Sequence, residues 1–422
     1  MKNTLCFGSA EILLPDFNKI DGSRWCAVAC DQYTSEPAYW EDAARFVGDA
    51  PSTLRLMLPE LYLEDSANRV PAIHAAMDTA LREHLVAHPN AMIYLERTQS
   101  DGTVRCGIVG AVDLECYDYT RGSTSLIRAT EGTVLERIPP RMAVRRGAPL
   151  ELPHVMLLID DPEKTVVESA KALSAKEEPI YDFDLMLGGG HVTGYLLNAD
   201  IQQALCSALG ALVEPSAMQT RYGDEALAPL LFAVGDGNHS LASAKATYEE
   251  IKSQIGEAAA LQHPARYALA EVVNLHDDAL NFEPIYRVVF GADTNDLLQQ
   301  LKSYIQSLHG SAAAQSLTVV MNQTEQEISI PSPVQQLTVG TLQVFLDLYL
   351  KEHASVTVDY IHGEDSLRRL ANGENAIGFL FDGMKKDELF RTVLYDGALP
   401  RKTFSMGHAQ DKRYYLECRK IK

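Results

Sequence analysis

Five apolar residues, Leu230 to Val234, run without a break into Gly235-Asp236-Gly237-Asn238-His239-Ser240, after which apolar side chains return at Leu241, Ala244, Tyr248, Ile251 and Ile255. An unbroken apolar run suits a strand buried on both faces, and spacings of three and four suit one face of a helix. The pattern predicts a strand ending at Gly235, a polar turn, and a helix for which Asn238 or Ser240 is the natural N-cap.

Elsewhere the same reading gives a strand over residues 24–30, then a helix with Pro37 in its first turn and Thr34 or Ser35 as cap. A helix over residues 71–87 turns Ile73, Met77, Ala80 and Leu81 to one side. Residues 91–114 read as a hairpin turning at Ser100-Asp101-Gly102. A strand over 154–159, a helix over 165–175, a glycine turn at 188–190, a strand over 191–197 and a helix over 199–212 lead to the motif. Beyond it, helices are expected over 293–308 and 338–353, a hairpin over 316–330, and strands over 356–363 and 375–381. This alternation indicates an α/β fold, with mixed α+β as the alternative. The expected division is residues 1–290, a mixed α/β region that contains the motif, and 291–422, a C-terminal α/β region that can pack into the same unit.

Composition narrows the function. Apolar residues make up 46% and charged residues 22%, as in folded globular chains, and the formal charge is −20. So acidic a chain opposes binding to nucleic acid or to an anionic membrane. No apolar signal core follows Met1-Lys2 and no window is apolar enough to span a bilayer. The seven cysteines are scattered and without a CxxC pair. They read as reduced thiols of a cytoplasmic protein, with neither a disulfide frame nor a zinc site.

The turn between strand and helix carries candidate chemistry. The first N–H groups of a helix lack internal partners and favour anions, and Gly235 and Gly237 permit close backbone approach. Asp236 could hold Mg2+ or accept a proton, and His239 could donate to a phosphoryl oxygen or act as acid or base. The competing structural reading is an Asx turn of Asp236 and Asn238, a Ser240 cap and a merely buried His239, and pattern alone favours it. The motif is neither a Walker loop nor GxGxxG. Five arginines, Arg128, Arg137, Arg141, Arg145 and Arg146, crowd one segment of the acidic chain. They form either a solvated face or an anion site.

Several segments together resemble the domain-of-unknown-function 1015 family, in a divergent branch. "FAVGDGNHSLASA" is similar to that family's "ADGHHRYxAA", a motif that resembles the phosphate-binding box of the ParB/sulfiredoxin superfamily and of the SerK free serine kinases. "VACDQYTSEPAYWEDA", "RATEGTVLERIPPR", "FEPIYRVVF", "VDYIHGE" and "LPRKTFSMG" extend the likeness over essentially the whole chain. The resemblance implies a ParB/sulfiredoxin-like core with additional α/β segments and nucleotide-dependent phosphoryl transfer on serine or phosphoserine, with ATP or ADP and Mg2+. The partners expected are thus a small amino acid and a nucleotide, with a homodimer left open.

Asp236, Gly237 and His239 match the family's Asp-Gly-x-His, Arg128 and Arg287 match arginines of the flanking segments, and Asp31 matches an acid after the first strand. The roles that follow are phosphate at Gly237, Asn238 and Ser240, the transferring group at His239, and phosphates or substrate carboxylate at Arg128 and Arg287. Asp31 or Glu36 is the base and Asp236 the metal ligand. Asn238 and Ser240 replace the family's histidine and arginine, so charge must come from elsewhere, with Arg128, Arg287, Arg401 and Lys402 as candidates. A ParB-like nucleotide sensor without turnover is the alternative function. A hydrolase is weaker, because triad members usually come from separate segments.

Overall fold

The computed structural model describes residues 5–174 and 177–422. Met1, Lys2 and the C-terminal residue of the expected 165–175 helix lie outside them. The chain divides into two compact units: Met1–Leu280 with His408–Lys422, and Asn281–Gly407. The expected boundary after residue 290 follows the strand Phe282–Phe290, whereas the second unit begins before that strand, at Asn281, and the last segment belongs to the first unit.

The first unit is built on one mixed sheet. Its strands run in the order Tyr181–Asp184, His191–Leu196, Ile93–Thr98, Val104–Asp113, Tyr267–Asn274, Met156–Ile159, Phe232–Asp236, Ile127–Ala129 and Tyr117–Asp118, with Phe7–Gly8 on the outer end of Val104–Asp113. Side chains alternate across the sheet. Val109, Ala111 and Leu269 join one core with Trp25, Trp40, Met77 and Tyr415. Ile108, Val112, Val272, Leu157 and Val234 join the other with Leu241 and Tyr248. Burial on both faces explains why the central strands read as continuous apolar runs.

The second unit holds an antiparallel sheet in the order Thr324–Ile330, Gln315–Met321, Ala376–Leu380, Phe282–Phe290 and Thr357–His362, with Phe404–Met406 beside the start of Phe282–Phe290. The expected hairpin turns at Asn322-Gln323, both at positive φ (50° and 60°), which matches the twist of the paired strands. The mixed α/β class holds in both units.

Three expectations change. Residues 24–30 are not a strand: Asp21 caps the short helix Gly22–Trp25, and only Val28 bridges, to Tyr414. The helix expected over 71–87 is Ser66–Glu83, because Leu85–Ala91 leaves it to pair with Ala10–Pro15. The cysteines are not all free, since Cys6 and Cys116 form a disulfide. Phe7 pairs with Val112, so the end of a long loop brings the two sulfurs together with no trace in local spacing. Among the described residues no helix is long and apolar enough to cross a membrane.

Candidate functional site

The strand Phe232–Asp236 and the helix Asn238–Ile255 meet at Gly237, as the pattern predicts. The register against Met156–Ile159 shifts between Val234 and Asp236, an irregularity at Gly235 that leaves Asp236 paired with Met156. Gly237 has φ 77°, and a Cβ there would lie 3.1 Å from Val155 Cα. Two demands meet at this residue, a left-handed backbone and close approach. Gly237→Ala is expected to lower stability by more than the about 1–2 kcal/mol of left-handed strain alone. Gly102→Ala, at φ 85° in open space, isolates the strain term. Equal shifts of the two variants in urea melts would show that Val155 does not matter.

The helix start departs from the capping expectation. Gly237, not Asn238 or Ser240, occupies the cap position, and no side chain caps the helix. Asp236 Oδ1 accepts the Gly237 N–H at 2.9 Å, one residue too early to cap the helix. Asn238 donates at 3.4 Å to Thr130 Oγ1 and to the Val234 carbonyl, and its own Oδ1 is buried without a donor. The structural reading of the motif as an ordinary capped helix is thereby set aside. What remains is an uncapped N-terminus with its dipole directed at the turn.

His239 is half-buried. Burial, followed by the charges of Arg141 and Arg137, brings its pKa down to about 4. The Val134 N–H points at its Nε2 at 3.4 Å, which places the proton of the neutral ring on Nδ1. Arg141 pairs with Glu60 and also donates to the Arg137 carbonyl at 2.6 Å.

Asp31 and Asp236 converge from different segments. Asp31 Oδ2 lies 3.6 Å from His154 Nε2, and the other ring nitrogen, Nδ1, is 2.7 Å from the Tyr415 hydroxyl. Burial works against charge on both partners. The His154 charge nevertheless holds the Asp31 carboxyl well below the carboxylate range, and Asp31, helped by Asp236, raises the His154 ring. The two form a buried ion pair. Lys412 stands 3.3 Å from Asp236 Oδ2, and its charge also acts on Asp31, which in turn acts on His239.

The other expected residues are placed differently. Glu36 stands exposed at the start of the helix Pro37–Val47. The Arg128 guanidinium is taken up by the carbonyls of Ser125, Ala228 and Pro229 at 2.8, 2.8 and 3.0 Å, so it holds backbone and not an anion. Arg287, Arg401 and Lys402 belong to the second unit. There Arg287 is fully buried against the Arg401 and Lys402 carbonyls at 2.7 and 2.9 Å, and Arg401 pairs with Asp347 at 2.7 Å. Asp236 does not fit a resident magnesium site, because one oxygen takes the Gly237 N–H and the other the lysine. Among the described residues no group of three or more His, Cys, Asp or Glu could hold a metal ion. Lys412, His154 and Tyr415 went unread in the sequence; only the arginine-rich segment signalled charge near His239.

Comparison with known proteins places the chain in a family without giving it an activity. No curated protein matches it. Among solved structures, a free serine kinase in complex with AMP is 12% identical and covers 71% of this chain and 91% of its own, with a TM-score of 0.35. A conserved hypothetical protein from Pyrococcus furiosus is 11% identical, with coverages of 72% and 95% and a TM-score of 0.33. SbnI with a C-terminal truncation from Staphylococcus aureus is 11% identical, with coverages of 73% and 85% and a TM-score of 0.33. The family described as protein of unknown function, DUF1015, matches residues 15–420, and the chain belongs to it.

Proposed function

We propose that the protein transfers a phosphoryl group between a nucleotide, ATP or ADP, and the hydroxyl of a small amino acid, serine or phosphoserine being the pair to test first. The observation that carries this reading is the uncapped start of an 18-residue helix beside a neutral histidine, two arginine charges and an ionised aspartate. Phosphoryl transfer asks mainly for positioning and charge neutralisation, which this arrangement supplies.

In the forward direction the substrate oxygen attacks the terminal phosphorus, and the phosphorus–oxygen bond to the leaving nucleotide breaks with its electron pair on the nucleotide. The hydroxyl proton passes to Asp31. A carboxylate held ionised is a weak base, but a loose transition state demands little proton abstraction before the phosphoryl group has largely transferred. The helix N–H groups and His239 Nδ1–H bind phosphoryl oxygens.

The test is phosphorus NMR of the protein with ATP or ADP, magnesium, and serine or phosphoserine. New phosphoserine, or loss of phosphoserine with phosphorylation of the nucleotide, is expected. Nucleotide binding without turnover over a set of small hydroxy amino acids would replace the enzyme with a sensor.

A further inference from the structure

The helix start lacks a cation of its own, because Ser240 brings a hydroxyl and no charge. Of the arginines near His239, Arg141 is tied to Glu60 and Arg137 is exposed. Lys412 is different. It arrives on the segment that closes the first unit, which is fixed residue by residue. The Asp411 carboxylate takes the Ser100 N–H at 2.8 Å and its hydroxyl at 3.0 Å. Arg413 is buried against Glu271 and Glu417, and its carbonyl accepts the Ala29 N–H at 3.0 Å. The Tyr415 N–H reaches the Ala27 carbonyl at 2.8 Å. With both neighbours locked into the interior, residue 412 sends its ammonium to Asp236, at the foot of the helix start, where its field also reaches Asp31.

An ammonium has three donors, and the Asp236 contact uses one. Asp31 already has His154 for a partner. The lysine therefore does more than a local ion pair requires: it sits where an incoming phosphate would meet Asp236 and be repelled. We propose that Lys412 is the phosphate-binding cation of this site, contacting the terminal phosphate of the nucleotide while its Asp236 contact holds the ammonium in place. This inference rests on the phosphoryl-transfer reading above.

The experiment is calorimetric titration of ADP and of adenosine, in magnesium-free buffer, into wild type, K412M, K412R, H239A and the double variant D236N/K412M. K412M is expected to lose tenfold or more in ADP affinity with adenosine affinity unchanged, and K412R to stay within about threefold of wild type for ADP. The double variant should not recover. ADP affinity in K412M equal to wild type, while H239A is weakened, would overturn the lysine assignment and leave the reading of the site standing. Wild-type affinity in D236N/K412M would also overturn it, by showing that the lysine serves only its carboxylate. Failure of the wild-type protein to bind ADP at all would instead remove the phosphoryl-transfer reading. K412R, which keeps the charge and the Asp236 partner, controls for loss of fold.

Discussion

His239→Ala is expected to lower the rate of phosphoryl transfer by roughly a hundredfold or more, equivalent to about 3 to 4 kcal/mol for one preorganised donor directed at developing charge. The fold should survive, since the ring is half-buried and its hydrogen bond among the described residues, from the Val134 N–H at 3.4 Å, is long. The pH profile adds a second check. With its pKa near 4, the ring is neutral throughout the physiological range and donates through Nδ1 without a charge change. No inflection between about pH 5 and 8 should therefore vanish when His239 is replaced. Steady-state rates of wild type and variant across that range test both points. Equal rates would remove His239 from the site, and a lost inflection near pH 6.5 would show that the ring titrates normally.

Glu271→Gln is expected to be the most damaging single change to stability, at about 3–5 kcal/mol by the measure of broken buried ion pairs. Glu271 is fully buried and faces Arg413, with Arg105 on its other oxygen at 3.4 Å. Arg413 turns its other nitrogen to Glu417 at 2.5 Å, and Tyr181 donates to Glu417 at 3.0 Å. Removing one carboxylate leaves two guanidiniums without full compensation in the interior. Burial acts to raise the Glu271 carboxyl, and Arg105 and Arg413 more than reverse this, so its folded pKa lies below the ordinary one. The stability it contributes is present above the ordinary carboxylate range and disappears as pH falls through the lowered value. Urea melts at pH 7 and pH 3 should show a large gap between wild type and variant at neutrality and a smaller one in acid. An equal gap at both would assign the loss to packing and not to charge.

The contrast between these two sites shows which parts of the molecule were legible in the chain. The junction at Gly237 could be read because both of its elements repeat locally, apolar without interruption in Phe232–Asp236 and at spacings of three and four in Asn238–Ile255. The missing cap could not, because Asn238 and Ser240 are good capping residues by type and only the left-handed Gly237 shows that neither is used so. Arg128 was visible as a charge, but its direction is set by the carbonyls of a distant loop. His154 and Lys412 were silent, because each meets its acid across a long separation in sequence, Lys412 through a long-range segment pairing with Val28 bridged to Tyr414 and Leu13 to Cys418. Asp31 was found only through resemblance to relatives, and the disulfide of Cys6 and Cys116 was hidden by its separation of 110 residues.

That pairing also has a consequence for the order in which the molecule can be made. The second unit, Asn281–Gly407, is a continuous stretch of chain, whereas the first unit is closed by residues that follow it. A growing chain thus has every residue of the later unit before it has Lys412, Arg413 and Tyr415. The buried Glu271 has Arg105 early but must wait for Arg413, and Asp236 for its lysine. The strand and helix of the motif can form early, but the lysine that balances Asp236 is delivered last.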